Sequence, residues 1–220
     1  MRVVSLVPSV TETLLAWDVV PVACTRFCEQ PALRHVGGTK DPDVAAIVEL
    51  APDLVVVNDE ENRREDHDAL VAAGLDVHVV RINALADVGP ELVALAERVE
   101  VVAPAFDLPP ARPPRVRVFV PIWKRPWMSI GADTYGSSLL AHLGATNVVA
   151  GDRYPELSLE QAAALRPDLV LAPSEPYPFA ERHRADLEAV APVVFVDGQD
   201  LFWWGARTPD AVRRLAAQLT

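Results

Sequence analysis

The chain has 220 residues, enough for one large domain or two of about 100 residues, each with its own core. Half of its residues are hydrophobic and 23% are charged, a globular balance that excludes disorder. A net charge of -11 excludes a phosphate-backbone partner, so no nucleic acid is expected, and no apolar run approaches the ~20 residues of a membrane span.

In chain order, Arg2 to Val7 reads as a strand directly after Met1, with no apolar h-region or cleavage site ahead of it. That opening predicts a cytoplasmic protein, or a periplasmic or cell-surface one whose leader has been removed. Ser9-Val-Thr-Glu12 has the form of a capping box opening a helix. Cys24 and Cys28 read as free, partly buried thiols, because no further ligands stand at a structural-zinc spacing. Asp41-Pro42 predicts a cap and an N1 proline ahead of a helix over Val44 to Leu50. Leu54 to Val57 reads as a strand, and Asp59 to Asp66 as a solvated helix start. The helix Asn62 to Ala73 then ends at Gly74, and Val77 to Ile82 is a further strand. Pro90 to Val102 has helical spacing, whereas the proline-rich run Pro104 to Pro114 must be extended and stiff.

The second half repeats the first. Glu49-Leu-Ala-Pro-Asp-Leu-Val-Val-Val57 matches Ala164-Leu-Arg-Pro-Asp-Leu-Val-Leu-Ala172, and Arg2 to Val7 matches Arg117 to Ile122 at the same offset. Thr13 to Ala16 answers Ser138 to Ala141, Ser158-Leu-Glu-Gln161 repeats the capping box, and Val193 to Asp197 supplies the last strand. Thr208-Pro209 caps the closing helix. The expectation is α/β: an N-terminal lobe over residues 1–84, a connector over 85–114 and a C-terminal lobe over 115–220. Each lobe is a Rossmann-like parallel sheet flanked by helices.

In open α/β sheets ligands bind outside the carboxyl ends of the strands. That selects Pro8, Ser9, Thr11, Arg26, Phe27, Gly38, Thr39, Asn58 and Glu60 in the first lobe. In the second it selects Trp123, Arg125, Trp127, Tyr135, Glu175, Tyr177, Phe179, Trp203, Trp204 and Arg207. Apolar aromatic walls with a few polar groups suit a flat, partly apolar ligand in a cleft between the lobes. The competing account is that these rings pack over the sheet ends. Arg125, Arg153 and Arg207 could hold a ligand carboxylate or phosphate, or form ion pairs with the many acids. Capping accounts for Ser9, Thr11 and Glu12. The histidines (His35, His67, His78, His142, His183) are scattered, and no metal site is expected. No nucleophile elbow, phosphate loop or dinucleotide fingerprint is present, so the chain reads as a non-enzyme.

The motifs Arg2-Val-Val-Ser-Leu-Val-Pro-Ser-Val-Thr-Glu12, Val36-Gly-Gly-Thr-Lys-Asp-Pro-Asp43, Ala51-Pro-Asp-Leu-Val55 and Arg166-Pro-Asp-Leu-Val170 carry a resemblance over nearly the whole chain. The chain resembles the helical-backbone metal receptors, the class III periplasmic-type substrate-binding proteins that include vitamin B12 and iron-siderophore binders. Ile122-Trp-Lys-Arg-Pro-Trp-Met128 and Pro173-Ser-Glu-Pro-Tyr-Pro-Phe179 are similar to segments of cobalamin-binding-like bacterial proteins. The resemblance implies two lobes, a rigid connecting helix, no required cofactor, and cobalamin or a ferric chelate as ligand. It also implies an ABC transporter permease as a partner, docked through one glutamate on each lobe. Here the connecting helix is about half the family's length. Glu160 matches one docking position, but Ala45 stands at the other. The alternatives are a cytosolic sensor or interaction module, or a cryptic enzyme using Asp133, Glu175 or Cys28.

Overall fold

The computed structural model describes residues 1–151 and 153–219. These divide into two compact units. The first takes Met1–Ile82, Ala86–Phe106 and Gly205–Arg207; the second takes Asn83–Leu85, Asp107–Trp204 and Thr208–Thr220. Each unit is a parallel sheet flanked by helices, the fold class that the strand and helix alternation predicts.

In the first unit the elements run β1 (Val3–Ser5), α1 (Pro8–Ala16), β2 (Ala23–Cys24), β3 (Arg34–His35), α2 (Val44–Glu49), β4 (Leu54–Asn58), α3 (Arg64–Ala72), β5 (Val77–Val80) and α4 (Leu85–Arg98). The sheet order is β3-β2-β1-β4-β5, with Val4 in register with both Ala23 and Val55. β1 and β4 are buried along their whole length, which explains their unbroken apolar runs: a parallel strand covered on both faces has no polar side to alternate with. Val4, Leu6, Val36, Ile47, Val55, Val57 and Leu70 form the core.

The second unit runs β6 (Val116–Phe119), β7 (Pro121–Lys124), β8 (Trp127–Ser129), α5 (Tyr135–His142), β9 (Ala145–Asn147), α6 (Leu159–Ala164), β10 (Leu169–Pro173), α7 (Arg184–Glu188), β11 (Val193–Val196), α8 (Gly198–Phe202) and α9 (Thr208–Gln218). Its sheet order, β9-β6-β10-β11, repeats the β2-β1-β4-β5 order of the first. The duplication read from the sequence is therefore a duplication of topology. Two pieces break the symmetry: the edge strand β3 in the first unit and the antiparallel hairpin β7–β8 in the second. The hairpin explains a slip in spacing. Arg2 and Arg117 stand 115 positions apart, but Leu14 and Leu139, on either side of the inserted residues, stand 125 apart.

The repeated Arg and Pro-Asp-Leu motifs turn out to be one joint made twice. Helices α2 and α6 each end in a residue with positive φ, Ala51 at 43° and Arg166 at 51°, followed by proline. The arginine at the foot of the central strand donates to the exposed carbonyl before that residue: Arg2 to Leu50 O at 2.7 Å, Arg117 to Leu165 O at 2.8 Å. A cation at a helix C-terminus also opposes the negative end of the helix dipole. The aspartate then accepts from the arginine's own backbone N–H, Asp53 from Arg2 and Asp168 from Arg117.

Several helix starts differ from expectation. Pro8 opens α1 with Val7 as its N-cap and no side-chain cap, so Ser9 lies inside the helix and the predicted capping box is absent. Proline at N1 suits this start because its fixed φ is already helical. In α2 the cap is Asp43, whose side chain accepts from Ala46 N at 3.0 Å, not Asp41. The Gly37–Pro42 bridge and the Asp43 N to Val36 O bond hold Pro42 outside the helix. Asn62 also lies outside α3, because its side chain bonds Leu6 O, Thr39 O and Asn58 N. Helix α4 starts at Leu85, not Pro90, which sits within it. Ser158 and Gln161 do form the reciprocal capping box, and Gly74 has the positive φ expected beyond a helix end. Beyond α4, residues 102–115 are free of helix and strand, as their prolines dictate.

Candidate functional site

In the first unit the strand ends present four loops. Ser9 and Thr11 are buried at the start of α1, where the Thr11 hydroxyl reaches Ser5 Oγ at 2.8 Å and Cys28 Sγ at 3.2 Å. Pro8 is buried beside them. Arg26 and Phe27 are exposed on the loop after β2. The guanidinium pairs with Asp41 at 3.0 Å and lies 4.8 Å from the Phe27 ring centroid, while half of Phe27 remains open to solvent. An ion pair this exposed is worth little, so Arg26 can exchange Asp41 for a ligand anion at small cost. Gly38 leaves room for the pair as it stands, since a Cβ there would lie 2.4 Å from Asp41 Oδ1 and 2.7 Å from an Arg26 nitrogen and would push these side-chain ends aside.

Asn58 and Thr39 serve the fold. Asn58 Oδ1 accepts from the backbone of Glu60 and Glu61, its Nδ2 donates to Val80 O, and the Thr39 carbonyl accepts from Asn62. The Glu60 carbonyl accepts from Lys40 Nζ at 2.6 Å. Next to this loop a depression of about 340 Å³ is lined by Asn58, Arg63, His67 and Arg81, among others. Of these, sequence reasoning singled out Asn58 alone as a site residue; it read Arg63 in a solvated helix start, His67 as a scattered histidine and Arg81 in a strand, since no periodicity brings Arg81 beside α3.

In the second unit the hairpin β7–β8 and the loop after β10 meet through rings. Trp127 stacks on Phe179 at 6.0 Å, Trp123 meets Tyr177 edge-on at 5.6 Å, and Tyr177 lies 4.8 Å from Phe179. His183 closes the cluster at 5.4 Å from Tyr177. Its Nδ1 accepts from Ala180 N, and burial, with the nearby Arg182 and Lys124 charges, holds the imidazole below its usual pKa. Lys124 pairs with Asp186 at 2.6 Å and lies over the Trp127 ring. Phe179 is part of the core, whereas Trp123 stays 43% exposed and Tyr177 is half-buried. Arg125 is exposed in the hairpin turn and Glu175 is half-buried against Gly198.

Other expected site residues are drawn inward. Tyr135 is buried with its hydroxyl 3.2 Å from Thr208 Oγ1, and Trp204 is 5% exposed. Trp203 is half-buried. Arg207 pairs with Glu12 at 2.8 Å within the first unit, and Arg153 donates to Asn83. For Phe179, Tyr135 and Trp204, packing of the sheet ends accounts for the ring. Among the described residues, no group of three or more His, Cys, Asp or Glu is placed to hold a metal ion.

No protein-family model matches the chain. Among curated proteins it is 25% identical over 189 residues to the vitamin B12-binding protein of Salmonella choleraesuis, covering 77% of this chain and 71% of that one. Among solved structures it superposes on the periplasmic vitamin B12-binding protein BtuF of Vibrio cholerae with a TM-score of 0.81 and 19% identity, over 99% of this chain and 96% of that one. It superposes equally well, at 0.81 and 23% identity, on the periplasmic heme-binding protein BhuT in complex with two hemes, over 100% and 99% of the two chains. The fold is that of the class III, helical-backbone substrate-binding proteins.

The proteins named here that resemble the chain are binding proteins, and that likeness supports a non-enzymatic role. The expected cytoplasmic location is overturned: structural relatives that the chain superposes on, BtuF, BhuT and HutB, are periplasmic proteins. The physical reason is that a strand pattern starting at residue 3 reports what folds, not where the chain is delivered. No helix among the described residues is long and apolar enough to cross a membrane. Glu160 is exposed on the first turn of α6, and the Ser158 side chain beside it holds its carboxyl below the usual range. The matching position on α2 is the exposed Ala45.

Proposed function

We propose that the chain is a non-catalytic binding protein for a flat metal macrocycle of the cobalamin type, taken up at strand-end loops. In this reading residues 1–84 and 115–220 are the two binding lobes and 85–114 the connector. The observation that carries it is the open edge of the aromatic cluster: Trp123 keeps 43% of its surface exposed although four other rings gather behind it. An indole left open above a packed cluster is the platform a flat apolar ligand needs. Arg26 with Phe27 offers a second ring and an exchangeable cation for an acidic or amide edge. The likeness to vitamin B12- and heme-binding proteins supports the same ligand class. A corrinoid is favoured over heme because the sequence likeness is to vitamin B12-binding proteins. Delivery to an ABC transporter permease is the finer expectation, with Glu160 as the docking residue of one lobe.

Absorption titration with cyanocobalamin, and separately with hemin, tests the reading. Cobalamin is expected to saturate with a perturbed visible band, and Trp123→Ala or Arg26→Ala to weaken binding about tenfold each (about 1.4 kcal/mol). A folded protein that binds neither macrocycle overturns the reading, and saturation by hemin alone overturns the choice of corrinoid.

A further inference from the structure

The depression beside α3 shares no residue with the aromatic platform or the Arg26–Phe27 pair, and its charge is unusual for this chain. The molecule carries a net charge of -11, yet Arg63, Arg64 and Arg81 line this depression against two carboxylates, Asp59 and Asp68. Local structure explains the convergence. Arg63 is the N-cap of α3, and Arg64 and His67 stand one turn apart on the same side of that helix. Arg81 follows the end of β5, where its backbone N–H donates to Glu91 Oε2 at 3.3 Å. The loop between β4 and α3 is fixed by the Asn62 side chain, which donates to Leu6 O and Thr39 O. Val57 and Val79 add an apolar part to the lining.

The three guanidinium groups are uncommitted. Among the described residues none of them donates a hydrogen bond, and Arg63 has no ion pair. Arg81 Nε lies 3.7 Å from Asp59 and Arg64 Nε 3.9 Å from Asp68, too far for hydrogen bonds. Asp68 is closer to His67, whose Nδ1 lies 2.9 Å from Oδ1. Ion pairs this long and exposed are worth little, so the arginines can turn to a bound anion at small cost. We propose that the depression binds a small phosphate monoester, its phosphate held by the arginines and its organic part against Val57 and Val79. A monoester carries close to two negative charges at neutral pH, so it outcompetes the single charges of Asp59 and Asp68. Its oxygens also match the planar fork of arginine. The volume of about 340 Å³ lies at the lower end of the range for small-molecule sites and leaves room beyond a bare phosphate.

Calorimetric titration of the whole chain with phenyl phosphate at constant ionic strength tests the assignment. Saturable, submillimolar binding is expected, with inorganic phosphate several-fold weaker because it lacks the organic part. Arg63→Gln and Arg81→Gln should each weaken binding about tenfold. Arg213→Gln, a change to an exposed arginine of α9 in the other unit, should leave it unaltered. In amide NMR spectra of the wild type, the shifts should concentrate in residues 57–68 and 79–81, a readout that needs no variant to fold. Absence of saturation at millimolar ligand overturns the proposal, as do shifts centred elsewhere or an equal loss in Arg213→Gln. Succinate binding as tightly as phenyl phosphate overturns the choice of phosphate, and inorganic phosphate binding as tightly overturns the role of the organic part.

Discussion

At the scale of single residues, the two copies of one joint give a direct test of how local chemistry holds this chain. Asp168 accepts the Arg117 N–H on an exposed edge, and Asp53 does the same for Arg2. Replacing either by alanine leaves the donor to water, and each change is expected to cost about 1 kcal/mol in urea unfolding. Equal losses in the two variants would show that the joints are energetically as well as geometrically repeated. His183 supplies a pH signature. Its depressed folded-state pKa means that folding favours the neutral ring, so that contribution is complete above the free-imidazole value and is lost as pH falls below it. Wild-type unfolding free energy should therefore fall more steeply between about pH 7 and about pH 5 than that of His183→Asn. Matching slopes would place the effect elsewhere. The pair Arg26–Asp41 was beyond reach of sequence reading, because the two residues lie on different loops.

At the scale of elements, the caps show where pattern succeeds. Ser158 and Gln161 satisfy each other's backbone neighbours, and Ser158→Ala is expected to cost about 1 kcal/mol in thermal or urea unfolding. Ser9 and Glu12 carry the same spacing but no such cap: Pro8 already opens the helix, and Glu12 is taken by Arg207, nearly two hundred positions along the chain. Tertiary partners override a local motif when they offer a charge-assisted bond. The hairpin β7–β8 was invisible to periodicity because its strands are four and three residues long and sit inside a unit otherwise read as strand then helix. Trp127→Ala should remove the stack on Phe179 and cost roughly 1–3 kcal/mol of stability, less than a fully buried aromatic.

At the scale of the whole molecule, the proposed function is a linkage statement. A ligand that binds only folded protein raises the melting temperature progressively with its concentration, by about 2.7 kcal/mol of stabilisation at a hundredfold excess over the dissociation constant. Calorimetry with increasing cobalamin should show this shift, and its absence across a saturating range would contradict the absorption titration.

What the sequence determined alone was the repeated architecture. Strand and helix alternation, the Arg and Pro-Asp-Leu spacing and the proline-rich break are local or periodic signals, and each constrains backbone conformation wherever it stands. What only tertiary structure decided was the chemistry of individual side chains. Tyr135, Trp204 and Phe179 looked like ligand contacts because they stand at strand ends, yet burial assigns them to packing. Arg63 read as part of a solvated helix start, His67 as a scattered histidine and Arg81 as a strand residue, yet the three line a common depression. Whether a polar or aromatic group is available to a ligand depends on what the rest of the chain has folded against it, and that is a long-range property no window of sequence contains.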